Sequence, residues 1–215
     1  MDSSAYPVRV NRVRFLHNLF DRPPALHILD SPWGYYPELQ HFSDRYRGPS
    51  VLSSGPYTVF SVDMSKFHRA SADFGGEIAL FGYDLPPQDG YCPGDRLQMA
   101  LTWQRLTTPA HQYQAFTQLV TADETARAAG YNGLPADRKR PTNTWVDPDE
   151  LVLGPTFDLS IPATTAPGAY RLVAGLYDVV THERLPTLGT DGHPNGSYTT
   201  LQIIAVKRDC GAPAS

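Results

Sequence analysis

The chain has 215 residues and a formal net charge of −4, with 20 prolines, 17 glycines and 12 tyrosines against only 19% charged residues. That mixture suits short strands joined by structured turns and argues against a helical bundle. It lacks the basic stripe that a phosphate backbone needs, which excludes nucleic acid as a partner, and no run of 18 apolar residues offers a membrane span.

The opening MDSSAYPVRVNRVRF has no apolar h-region of a signal peptide, which leaves a cytosolic chain or a piece of a longer one. Next, VRVNRVRFLHNLF fits either a strand or an amphipathic helix with Val10, Val13, Leu16 and Phe20 on one side. PPALHILD is strand-like, SPWGYYPELQHFSDRYRG joins a turn to a short helical piece around residues 37–45, and GPYTVFSVDM (55–64) is a strand. Residues 1–70 therefore form a smaller α+β or strand-rich part, too short to hold a core alone. FHRASADFGG (67–76) reads as a linker from that part into the rest of the chain.

From residue 76 the pattern is regular. GEIALFGYDL (76–85) is a strand, PPQDGYCPGD (86–95) a turn-rich loop, and RLQMALTWQRL (96–106) a strand. In that last strand Leu97, Met99, Leu101 and Trp103 alternate with a mostly polar face, the period of a half-buried antiparallel strand. YQAFTQLVT (113–121) comes after it. The polar stretch 122–150 carries little periodicity, and LVLGPTFDLSI (151–161) returns to a strand. IPATTAPGAYRLVAGLYD (161–178) sets two prolines and a glycine before Tyr170, Leu172, Ala174 and Leu176, which share one face, and YTTLQIIAVKR (198–208) closes the series.

Six or seven short strands with turns between them predict a mainly β chain, an immunoglobulin-like antiparallel β-sandwich over 76–209. Tyr170 sits where such sandwiches carry a tyrosine corner, its hydroxyl reaching back to the preceding turn, and Trp103 belongs to the core. The first and last strands of these folds often run parallel. Cys92, after the first strand, and Cys210, past the last, can then form a disulfide, which would imply an oxidising compartment; two unpaired surface thiols are the alternative.

Four segments in order carry a resemblance: FGGEIALFGYDL, CPGDRLQMALTWQRL, TNTWVDPDELV and IPATTAPGAYRLVAGLYDVVTHERLP. Together they resemble the β-sandwich module at the C-terminus of bacterial membrane glycosyltransferases of the dolichyl-phosphate-mannose–protein mannosyltransferase type, as found in filamentous phototrophic bacteria. LQHFSDRYRGPSVLSSGPYTVFSVD is similar, more loosely, to the segment that precedes that module. The membrane-spanning catalytic portion of those enzymes has no counterpart in these residues. The resemblance thus implies an accessory module facing outside the cytoplasm, periplasmic or at the cell surface, and no transferase activity for this stretch.

Catalytic signatures are weak throughout. Asp147-Pro148-Asp149 mimics a metal-holding D-x-D, but it precedes a sandwich strand at a proline turn, where aspartates serve local hydrogen bonds. The seven histidines have no ligand spacing, and Thr190–Gly196 lacks the closing glutamate of a calcium loop and reads as a hairpin loop. No nucleophile elbow, phosphate-cradling loop or paired carboxylates stand out. Neither a cofactor nor a metal is expected.

Aromatic residues in loops are the remaining signal. Trp33, Tyr35 and Tyr36 in a Pro/Gly-flanked loop, with Tyr131 and Trp145 in the long polar stretch, offer flat faces on which sugar rings stack. The competing reading is that they seal the joint between the N-terminal part and the sandwich. The leading expectation is a non-catalytic module that binds glycan, an acceptor protein or the membrane portion of its own enzyme. The alternatives are a glycosidase or transferase fragment with a site between the N-terminal part and the sandwich, and a structural spacer.

Overall fold

A computed structural model of the chain describes residues 28–30, 44–54, 57–136, 140–148, 150–208 and 210. The strands are β1 (Ile28–Asp30), β2 (Arg47–Ser54), β3 (Tyr57–Val62), β4 (Phe67–Phe74), β5 (Ile78–Asp84), β6 (Arg96–Arg105), β7 (Tyr113–Thr121) and β8 (Arg127–Gly133). After them come β9 (Leu151–Leu153), β10 (Phe157–Ser160), β11 (Gly168–Asp178), β12 (Thr187–Leu188), β13 (Pro194–Gly196) and β14 (Thr199–Val206). One sheet runs β10-β6-β5-β4-β12-β13, with β9 beside β10 along β6, and the other runs β14-β11-β7-β8. Every strand pair in both is antiparallel.

Alternation explains why these segments face one another. Leu97, Met99, Leu101 and Trp103 of β6 meet Leu172, Ala174 and Leu176 of β11 in one apolar cluster between the sheets. Trp103 is fully enclosed and meets Phe74 edge-on at 6.0 Å between ring centroids. Tyr170 donates its hydroxyl to the Ala166 carbonyl at 2.8 Å, the tyrosine corner that the PGAY turn announced.

The ends of the sandwich are tied by backbone geometry. Cys92-Pro93-Gly94-Asp95 forms a turn in which Asp95 N donates to Cys92 O, and Gly94 takes φ +97°, a conformation that glycine adopts without steric cost. Just before it, Tyr91 bridges Val206 in parallel, with Tyr91 N donating to Ala205 O and Lys207 N to Tyr91 O, both at 2.8 Å. Gly90 permits this approach, because a Cβ there would lie 3.0 Å from the Ala205 carbonyl oxygen. Cys92 and Cys210 are thereby brought to a Cα separation of 5.9 Å and joined as a disulfide.

Two readings of the sequence are corrected. FHRASADFGG is no linker: Phe67–Phe74 is β4, paired along β5 from Phe67↔Asp84 to Phe74↔Ile78. Its side chains keep period two: His68, Ala70, Ala72 and Phe74 face the inter-sheet core, while Phe67 and Arg69 lie on the opposite face against Phe81. The polar stretch 122–150 also contains a strand, β8, and a 3-10 turn at Thr142–Thr144.

The N-terminal part supplies a three-stranded sheet, β1-β3-β2, and one helical turn at residues 44–46. Among the described residues, Tyr46, Val62, Met64 and Phe67 pack on Phe81, Leu151 and Leu153, which lie on the outer face of the larger sheet. Phe67 lies flat over Gly82, where a Cβ would meet its ring at 2.4 Å. The rest of residues 1–43, including Trp33, Tyr35 and Tyr36, lies outside the described residues.

Candidate functional site

The joint between the N-terminal part and the sandwich centres on one buried carboxylate. Asp84 ends β5 on the outer face, where β4 pairing holds it opposite Phe67. Tyr46 donates its hydroxyl to Asp84 Oδ1 at 2.7 Å, and Arg45 Nε forms an ion pair with Asp84 Oδ2. The Arg45 and Asp84 side chains are only 7% and 5% exposed, so the pair sits in a low-dielectric setting. Burial, which the Arg45 charge offsets only in part, pushes the Tyr46 hydroxyl far above its ordinary range, and it remains a protonated donor. Arg45 Nη1 and Nη2 are buried and have no hydrogen-bond partner. The Lys66 ammonium lies 5.6 Å from the centroid of the Tyr46 ring, placing a second cation beside the first.

From this joint a cleft of about 1150 Å³ opens toward the side of the sandwich where the β8 edge meets the β9–β10 connection. Among the described residues its walls include Arg45, Lys66, Gln98, Gln114, Tyr131 and Asn132, with the Asp44 carboxylate also on the wall. Tyr131 is half-buried and stacks parallel on Phe157 of the opposite sheet, ring centroids 3.9 Å apart. It lies along its own strand over Gly133, where a Cβ would fall 2.2 Å from the tyrosine oxygen. Behind this stack a small cavity reaches Trp103 and Thr117, whose Nε1 and Oγ1 are buried without partners. Tyr177 donates its hydroxyl to Gln114 Oε1, which leaves the Gln114 amide nitrogen as the group with unspent hydrogens.

Of the aromatic candidates, the described residues place only Tyr131 in the cleft. Trp145 is corrected: it is 1% exposed within the inter-sheet core, and its indole nitrogen donates to Arg140 O at 3.2 Å, so it offers no face to a sugar. The Thr142–Thr144 turn just before it drives the ring inward. Asp147 O closes a turn onto Glu150 N, and Asp149 lies outside the described residues. In the Thr190–Gly196 loop, Asp191 Oδ1 accepts from His193 N, and Pro194–Gly196 pairs with β12 as a hairpin.

A second polar cluster, also unannounced by the sequence, closes one end of the sandwich. His111 Nδ1 lies 2.6 Å from Asp178 Oδ2, and Tyr113 donates its hydroxyl to Glu77 Oε2 at 2.9 Å. Backbone amides of Thr181 and Val180, aided by His111, hold the Asp178 carboxyl below the usual carboxylate range. The His111–Asp178 contact ties the β7 and β11 ends together, and the Tyr113–Glu77 bond joins β7 to the β4–β5 turn of the other sheet. Among the described residues no three His, Cys, Asp or Glu side chains converge as metal ligands, and no helix is long and apolar enough to cross a membrane.

The residues that sequence reasoning missed are Arg45, Lys66, Asp84, Gln98, Gln114 and Asn132. One signal was available: an aspartate closes the otherwise apolar run IALFGYDL, and a carboxylate so placed needs a partner. No protein-family model matches the chain, and no curated protein is similar to it in sequence.

Proposed function

We propose that the chain is a non-catalytic accessory module acting outside the cytoplasm, related to the C-terminal region of bacterial membrane glycosyltransferases, and that its cleft binds a glycan. The observation that carries this reading is the composition of the cleft wall. One tyrosine ring, three primary amides and two cations converge on a space of about 1150 Å³, large enough for a short oligosaccharide. Amide groups donate to and accept from sugar hydroxyls, and an aromatic ring supplies apolar surface for the C–H face of a pyranose.

The Cys92–Cys210 bridge supports the compartment, since disulfides persist where the surroundings are oxidising. A glycan array probed with the chain tests the reading. Binding that is retained in Trp145→Phe and lost in Tyr131→Ala and Asn132→Ala supports it. An array silent throughout, or binding indifferent to Tyr131 and Asn132, contradicts it.

A further inference from the structure

Independently of the glycan reading, we infer that Asn195 is a site of spontaneous deamidation, where the Gly196 nitrogen displaces ammonia from the side chain and water leaves a carboxylate. The chain holds two Asn-Gly steps, Asn132-Gly133 and Asn195-Gly196. In each, a glycine without a Cβ leaves its nitrogen open to the preceding carboxamide. Both asparagines are exposed, and among the described residues neither carboxamide has a hydrogen-bond partner.

What separates the two is the backbone. Ring closure needs the glycine nitrogen against Asn Cγ, an approach that an extended strand prevents, so the strand must first let go. Asn132 lies in the seven-residue β8, which pairs with β7 through Thr117↔Tyr131, Phe116↔Asn132 and Ala115↔Gly133. Tyr131 also lies over Gly133, holding that step closed. Asn195 lies in β13, three exposed residues at the edge of the larger sheet, paired with the two-residue β12 across a shift in register. Opening β13 breaks far fewer contacts than opening β8, so Asn195 reaches the reactive geometry more often.

Water is the only co-reactant. Hydroxide takes the Gly196 amide proton, the nitrogen bonds to Asn195 Cγ, and the Cγ–Nδ2 bond breaks with loss of ammonia, which takes its proton from water. Water then opens the succinimide at either carbonyl, giving aspartate or isoaspartate, the latter with an extra carbon in the main chain. Either product sets a carboxylate beside Asp191, because Asn195 Nδ2 and Asp191 Oδ1 lie 3.5 and 2.9 Å from the position a Gly189 Cβ would take. The two negative charges repel and loosen the loop that Gly189 N closes on His193 O.

The test is incubation of the full chain in neutral and in mildly alkaline buffer, followed by peptide mass mapping and an isoaspartate assay. The Asn195 peptide should gain about one dalton, faster in the alkaline buffer, and the Asn132 peptide should convert several-fold more slowly. Unfolding in urea should bring the two rates close together. Asn195→Gln should remove the fast conversion, and in the converted chain the Gly189 amide should exchange its hydrogen several-fold faster.

An Asn195 peptide no quicker to convert than the Asn132 peptide in the folded chain overturns the assignment. A difference that persists undiminished in urea overturns the backbone argument behind it. Unchanged Gly189 exchange after conversion overturns the loosening of the loop.

Discussion

The space between the two sheets and the joint on the outer face of the larger sheet are both buried, yet they are held by opposite means. Between the sheets, Leu97, Met99, Leu101, Trp103, Leu172 and Leu176 fill the interior with apolar contact, and the strength of the packing scales with area. At the joint, among the described residues, Tyr46, Phe81 and Leu151 form a smaller apolar cluster, with the Arg45–Asp84–Tyr46 set at its side. The first arrangement tolerates shape-conserving change. The second does not tolerate the loss of any one partner, because each removal leaves a buried charge or hydroxyl without its complement.

The largest effect belongs to the core. Trp103→Ala should cost about 4 kcal/mol in urea unfolding, the range of a large aromatic truncated where the surroundings cannot collapse. A loss below about 1 kcal/mol would mean that Trp103 is not the centre of the packing.

Next comes the joint. Asp84→Ala should cost about 3 kcal/mol, since it strands the Arg45 guanidinium in the interior. The loss should appear as protease sensitivity across residues 44–66, with the tyrosine corner and inter-sheet core still protected. Replacing the set together, as Arg45→Met, Asp84→Leu and Tyr46→Phe, should recover most of that loss. Uniform loss of protection in Asp84→Ala would show that joint and core are one cooperative unit.

Legibility in the sequence divides along the same line. Whatever depends on local spacing was readable: the alternation of β6, the Cys92–Asp95 turn, and a tyrosine corner whose hydroxyl bonds a carbonyl only four residues back. What depends on distant pairing was not. Arg45 and Asp84 are 39 positions apart, and Glu77 and Tyr113 are 36 apart, with nothing in either local pattern to link them. FHRASADF misled for a third reason: its alternation is intact, but the inward positions before Phe74 are His68, Ala70 and Ala72, too small or too polar to mark an apolar face. Trp145 misled because it lies in a mostly polar stretch, beside the exposed Val146, while its ring points inward.

A smaller effect of reversed sign sharpens the contrast. Thr117 keeps a buried hydroxyl without a partner inside the otherwise apolar core, so Thr117→Val should raise stability by about 1 kcal/mol. A destabilisation would reveal that the hydroxyl is satisfied. The smallest effect concerns the polar end of the sandwich. Asp178 has a lowered folded-state pKa, so its contribution is present above the ordinary carboxylate value and fades as the pH falls through the folded value. Stability should therefore decline in the acid range, below about pH 4, and Asp178→Asn should flatten that slope. An unchanged acid slope would remove Asp178 from the account.

Amide and side-chain chemical-shift mapping during titration with the glycan that the array selects decides whether the cleft at the joint is where this molecule meets its ligand. Shifts should concentrate on Tyr131, Asn132, Gln98, Gln114, Arg45 and Lys66, leaving Trp145, His111 and the Cys92–Cys210 end unmoved. Shifts gathered at His111 and Asp178, or spread over the outer strands with the cleft silent, would place recognition elsewhere and contradict the account.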